Sequence, residues 1–149
     1  MKKFRGMFRL LVLYLLREEP LHGYGLMQKM KSLFKGYSPS PGVVYPLLRE
    51  LVKKGLVEVA IEEGRRGKKM YRITEEGLKF LEEHMGDAEK VYTHAKALGE
   101  FFELGGRELK EALTLTIKRI PMLSESQKIM LRNVLKKFTQ EVRRVVEVE

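Results

Sequence analysis

Residues 38 to 77, SPSPGVVYPLLRELVKKGLVEVAIEEGRRGKKMYRITEEG, set a cationic amphipathic helix directly before two short strands joined by a turn of arginines and lysines. Val44, Leu47, Leu48 and Leu51 recur at helical spacing, which predicts a helix over about 41–54, closed by Gly55 as its C′ residue. Pro46 has no N–H and is expected in the first turn, where that donor lacks a partner anyway. The opposite face carries Gly42, Pro46, Arg49 and Lys53, a first turn without a bulky acid, followed by two cations. Val57, Val59 and Ile61 alternate with Glu58, Ala60 and Glu62, the pattern of a half-buried strand. Gly64-Arg65-Arg66-Gly67 is the turn, and Lys68–Ile73 returns with Tyr71 and Ile73 on its apolar side. Thr74 is placed to N-cap a further helix running to about Met85, with Glu75 and Glu76 complementing its dipole. Helix, strand, basic turn, strand, helix is the order of a winged helix-turn-helix. The expected fold class is therefore mainly α with a small β-hairpin wing.

The flanking segments read as helices. Phe4, Phe8, Leu11 and Leu15 mark one face of a first helix, widened by Met7, Leu10, Val12, Tyr14 and Leu16 and ended by Pro20. A second helix is expected from near His22 to about Phe34, with Leu26, Met30 and Leu33 inward, and Gly36–Gly42 forms the turn after it. Beyond Gly86 only helical patterns remain. Asp87 is expected to cap a helix bearing Val91, Ala95, Leu98 and Phe102, and Gly105-Gly106 breaks it. Leu109, Leu113 and Ile117 mark another helix that stops before Pro121. Ser124-Glu125-Ser126-Gln127 is a capping box opening the last helix. There Leu131, Leu135, Phe138, Val142 and Val145 step by 4, 3, 4 and 3, a heptad seam suited to a partner helix. The seam covers only two to three heptads, a length that packing within the subunit uses equally well. These patterns divide the chain into a winged-helix DNA-binding domain, 1–85, and an α-helical dimerisation region, 86–149.

Charge narrows the function. The net charge is +9, and residues 1–74 hold 16 Lys and Arg against 6 Asp and Glu, whereas residues 75–149 hold 13 against 14. Such segregation points to a polyanionic partner, nucleic acid before membrane, because solubility alone does not require it. The longest apolar run, Leu10–Leu16, is far short of the ~20 residues that span a bilayer. With a short run and no small-residue cleavage site after it, a cytoplasmic location is expected. The chain has no cysteine, which excludes disulfides and thiol chemistry. His22, His84 and His94 match no metal-binding spacing, even with Asp87 nearby, and the serines lack a nucleophile elbow. The glycines form neither a P-loop nor a dinucleotide fingerprint. The expectation is a non-enzyme without metal or cofactor. Ser40, Val43, Tyr45 and Arg49 are candidates for base or near-base contact from the third helix, and Lys53, Arg65, Arg66, Lys68 and Lys69 for phosphate contact. Lys2, Lys3 and Arg5 are candidates for an N-terminal arm.

Residues 4–85 resemble the PadR family of transcriptional regulators. The likeness rests on His22-Gly23-Tyr24, on the run Pro41-Gly42-Val43-Val44-Tyr45-Pro46-Leu47-Leu48-Arg49-Glu50-Leu51, on Gly55-Leu56-Val57, and on Gly64 to Gly77. The resemblance implies a homodimeric repressor on a partly palindromic operator, dimerised through its C-terminal helices, with Tyr24 and Tyr45 near the DNA backbone. Two features depart from the family. Residues 86–149 are longer than the tail of short members and shorter than that of long ones. The chain also has no tryptophan, which some short members use to stack flat drugs at the dimer centre. Met7, Phe8, Phe101 and Phe102 are expected to pack in the core rather than line a ligand site. The function expected is a sequence-specific, homodimeric regulator of transcription, a repressor, responsive to an effector that the sequence does not identify. Its rivals are a sequence-indifferent DNA-coating protein and a winged-helix protein-interaction module.

Overall fold

The computed structural model describes residues 2–61 and 68–147, with side chains for 6–60 and 68–147. The elements are α1 (Lys2–Leu16), β1 (Leu21–His22), α2 (Gly23–Leu33), α3 (Pro41–Lys53), β2 (Val57–Ile61), β3 (Lys69–Ile73), α4 (Glu75–Glu83), α5 (Met85–Phe101), α6 (Arg107–Arg119) and α7 (Glu125–Val146). The chain divides into two compact units, Met1–Gly105 and Gly106–Glu149. In the first unit α1, α2 and α3 pack against a small antiparallel sheet of order β1-β3-β2, with Leu21 opposite Tyr71 and Val57 opposite Ile73.

In the first unit α1 is central. Leu11, Val12, Leu13, Leu15 and Leu16 are all buried, because α2, α4, α5 and β3 pack around it. Fully burying each such side chain is worth about 1.5–3 kcal/mol, so α1 anchors these four elements. Tyr14 packs on Tyr92 of α5 at 4.9 Å between ring centroids, and the Arg17 guanidinium sits 4.6 Å above the Tyr14 ring. α5, read from the sequence as the start of the C-terminal region, thus packs on α1, and the first compact unit runs on past residue 85 to Gly105. There the backbone takes a positive φ of 104°, accessible to glycine at little cost, and the chain turns.

Several local expectations are corrected. The second helix begins at Gly23 with His22 as its N-cap, as expected, but Leu21 and His22 also form a third strand against β3, which was not anticipated because a two-residue strand leaves no periodic signal. Pro46 lies in the second turn of α3, whose first residue is Pro41. It forfeits a hydrogen bond to the Gly42 carbonyl, and Gly42 is exposed, so water can satisfy that oxygen. His84, not Asp87, is the N-cap of α5, and Asp87 lies within the first turn, where its charge suits the helix dipole. Lys2, Lys3 and Arg5, expected as an arm, belong by backbone to α1. Val59 is 38% exposed although it shares a face with buried Val57, because the hairpin runs out past the helices that cover its base. Arg65 and Arg66 lie outside the described residues.

At the base of the wing, Thr74 joins three segments. The Thr74 hydroxyl donates to the Gly55 carbonyl at 2.6 Å and accepts from the Gly77 N–H at 3.0 Å, while the Thr74 N–H donates to the Leu56 carbonyl at 3.1 Å. One side chain therefore caps α4 and ties it to the turn that ends α3. Thr74→Val removes both hydroxyl bonds at nearly constant volume. It is expected to cost about 1–2 kcal/mol, read as a lower urea midpoint at unchanged slope.

In the second unit α7 opens with the anticipated capping box, the Ser124 hydroxyl accepting from the Gln127 N–H and the Gln127 side chain from the Ser124 N–H. No residue of α6 or α7 is buried.

Candidate nucleic-acid interface

The side chains that α3 buries dictate those it shows. Val44, Leu47, Leu48 and Leu51 are inside, which leaves Ser40 at the N-cap, Val43, Arg49 and Lys53 exposed. Tyr45 is half-buried and bridges the two faces. Its ring lies against the backbone at Gly23, where a Cβ would fall 2.6–2.9 Å from Cε1, Cζ and the hydroxyl. Glycine at 23 is thus required by the tyrosine 22 residues away, and the two family-like sequence runs form one physical contact.

Around that contact lies a groove of about 560 Å³. Tyr45 and Tyr71 line it from α3 and β3, Tyr24 from α2, and Lys68 and Lys69 from the returning arm of the wing. Tyr24 is 67% exposed, a free aromatic edge at the start of α2. His22 completes the wall and holds the strand in place, its Nδ1 3.1 Å from the Lys69 carbonyl. Burial pushes the Tyr71 phenol above its usual pKa, helped by the nearby Tyr45 phenol and opposed by the Arg49 guanidinium. Tyr71 therefore stays a neutral hydroxyl beside an arginine.

The electrostatics favour an anion. No carboxylate lines the groove, and Lys68 and Lys69 have no ion pair among the described residues. Glu50, on the flank of α3, is held by Arg9 at 2.8 Å and Lys54 at 3.3 Å, so its charge is compensated. Arg72 faces Glu58 across the hairpin at 3.6 Å.

Of the residues anticipated from sequence, the structure brings Tyr24, Tyr45, Lys68 and Lys69 together, with Arg49 close enough to act on Tyr71. Lys53 is exposed one turn further along α3. Ser40 and Val43 do not line this groove; they border a separate apolar cleft. His22, Gly23 and Tyr71 were not anticipated as site residues. Strand alternation does put Tyr71 on the inner side of the wing, but which helix it meets there depends on packing.

The profile of the transcriptional regulator PadR-like family matches residues 12–83. A PadR-like transcriptional regulator from Bacillus cereus has a crystal structure that is 30% identical, with a TM-score of 0.51; the match covers 66% of this chain and 96% of that one. This chain belongs to the PadR-like family of transcriptional regulators. Among curated proteins, the transcriptional regulator YqjI of Escherichia coli is 40% identical over 93 residues, 62% of this chain and 44% of that protein. The chain thus matches less than half the length of that relative. A transcriptional regulator from Clostridium thermocellum shares the fold, with 24% identity and a TM-score of 0.53 over 68% of this chain and 98% of that one. Membership in this family marks the chain as a transcriptional regulator rather than an enzyme. No helix among the described residues is long and apolar enough to cross a membrane.

Proposed function

We propose that this PadR-like regulator binds specific duplex sites as a homodimer and represses transcription there. The observation that carries the reading is the groove in which Tyr24, Tyr45, Lys68 and Lys69 converge beside the exposed Arg49 of α3. Hydroxyls and cations on one face suit phosphate oxygens, and an amphipathic helix with an exposed arginine suits the major groove. The wing arginines Arg65 and Arg66 extend the same cationic arm by sequence, and Lys53 continues it along α3.

Dimerisation is supported by the second unit. α6 and α7 bury nothing, yet α7 carries Leu131, Leu135, Phe138, Val142 and Val145 on one stripe, each at least partly exposed. Most helical stability in proteins comes from packing an amphipathic face, so an apolar stripe of this kind calls for a covering surface. A second copy supplies one with the same heptad spacing. Two copies would set their third helices about 34 Å apart, one turn of duplex. A dimer lying across a promoter represses by occupying it, and an effector that alters the separation of the two heads would release it.

Selection of bound duplexes from a random pool tests the reading, with light scattering on the same sample. Enrichment of a two-fold-related site by a dimer is expected. Equal binding to every duplex would instead favour a DNA-coating protein, and binding indifferent to salt a protein-interaction module. Arg49→Ala is expected to relax preference at one or two positions of the selected site, a loss of about 1–3 kcal/mol of discrimination. Phe138→Asp is expected to shift the scattering mass toward the single chain.

A further inference from the structure

Of the three histidines, His22 alone borders the groove. It stands part-exposed where β1 passes into α2, as the N-cap of that helix, yet its side chain makes no capping bond. The ring turns to β3 instead, with Nδ1 3.1 Å from the Lys69 carbonyl. A carbonyl oxygen only accepts, so Nδ1 must carry a hydrogen there. That decides the chemistry of the other nitrogen. With Nδ1–H fixed, Nε2 is where the ring gains or loses its second proton: an acceptor when the ring is neutral, a donor when it is charged.

The surroundings say what that proton serves. Facing the ring are Lys68 and Lys69 of the wing, Tyr71 of β3, Tyr24 of α2 and Tyr45 of α3, with Arg49 one turn beyond Tyr45. No carboxylate lines the groove, and the first turn of α2 carries no acid. Glu18 and Glu19, just before β1, are both held by Lys29, at 3.2 and 2.9 Å. Among the described residues, then, no acid in the groove offers the imidazolium a counter-charge. An anion held by Lys68 and Lys69 would bring one to the same wall and favour the charged ring over the neutral one. Imidazole ordinarily takes its second proton near pH 6.5, so a modest change in surroundings moves its charge across neutrality.

We propose that His22 is a phosphate-contacting residue and takes up one proton from solution as duplex enters the groove, Nε2–H then donating to a phosphate oxygen. This rests on the DNA-binding reading and adds to it a charge that the bound state alone recruits. Lysine and arginine keep their charge through the neutral range, so His22 is the groove cation that ties affinity to pH. The sign follows from linkage. Binding that consumes a proton strengthens as pH falls and weakens as pH rises, by at most about tenfold per pH unit for each proton taken up. Because the contact is to backbone, random and selected duplexes share the effect.

Affinity for a fluorescent duplex, titrated at one ionic strength from about pH 6 to about pH 8, tests this. Binding is expected to be at least about threefold tighter at the acid end, on selected and random duplexes alike. Calorimetry at neutral pH in two buffers of different ionisation enthalpy reads the proton directly, and net uptake is expected. His22→Asn places an amide N–H where Nδ1–H stood, so it keeps a donor for the Lys69 carbonyl but cannot titrate. It is expected to bind at every pH as weakly as the native chain does at the alkaline end. His22→Arg carries a fixed charge and is expected to bind at every pH as the native chain does at the acid end. His84→Asn and His94→Asn, whose rings lie outside the groove, should keep the native profile. The proposal is overturned if native affinity is flat with pH, if no proton is taken up, if either control loses the native profile, or if a natively folded His22→Asn keeps it. Should His22→Asn not fold, His22→Arg decides, and a native pH profile in that variant overturns the proposal. Binding to no duplex at any pH would overturn the regulator reading as well, whereas tight but flat binding overturns the proton uptake alone.

Discussion

Replacing Arg65, Arg66, Lys68 and Lys69 together by alanine is expected to weaken binding to every duplex, selected or random, by on the order of 10²–10³-fold. The figure follows from about 1 kcal/mol for each exposed cation–phosphate contact, with 1.4 kcal/mol for each tenfold. The cause is counterion release: each phosphate neutralised contributes about 0.9 to the slope of log affinity against log salt. The slope should therefore fall by about three to four, and the preference among sequences should change little. Lys68 and Lys69 border the groove without ion-pair partners among the described residues, so their removal leaves no described acid unpaired. Titration of a fluorescent duplex at several salt concentrations checks both numbers. An unchanged slope would place the phosphates on another face.

Gly77→Ala is expected to be the most destabilising small substitution in the first unit. A Cβ at this position would sit far inside contact distance of the Leu56 carbonyl oxygen, 3.0 Å from its carbon and 2.7 Å from Ile73 Cγ1. Two of these neighbours are backbone, and they belong to the turn that Thr74 fastens, so no rotamer change relieves the clash. Overpacking of this kind costs about 3 kcal/mol, which for a domain of this size lowers the melting temperature by about 10 °C. Gly86→Ala is the matched control. Gly86 lies in α5 with nothing within 4 Å of a Cβ, and alanine is the better helix former by about 0.5–1 kcal/mol, so a rise in melting temperature is expected. Thermal unfolding followed by circular dichroism separates the two signs. Equal melting of Gly77→Ala and the native chain would mean that the α3–β2 turn and α4 are not locked together.

The likeness in sequence concentrates where local chemistry is strongest. The α3 register, the two wing strands, the Thr74 cap and the Ser124 capping box were all legible. Each depends on residues a few positions apart, through periodicity, alternation or a side chain reaching its own helix. The errors share a different origin. β1 is two residues long and exists only because β3 offers it an edge. Pro46 was assigned one turn too early because proline's missing N–H was taken to restrict it to the first turn, whereas α3 begins at Pro41 as expected and tolerates the lost bond one turn later. Met7 was expected inside, but α1 is long enough for its N-terminal part to reach beyond the core.

The candidate site divides along the same line. The cations could be named from their residue types and Tyr45 from its place on α3, whereas Tyr24 came only through the family resemblance. Ser40 and Val43 were grouped with Arg49 because all are outward on one helix. A helix has more than one outward side, however, and α1 and α5 claim the side on which these two stand.

Hydrophobic spacing and the uneven placement of charge were enough to establish a winged helix with a basic arm, because those signals act over one or two turns. Packing alone brought Gly23 beneath the Tyr45 ring and Tyr71 beside Arg49. It also opened the cleft between α1, α5 and the start of α3. Such contacts join residues far apart in the chain, and their geometry is set by how whole elements fill space against one another.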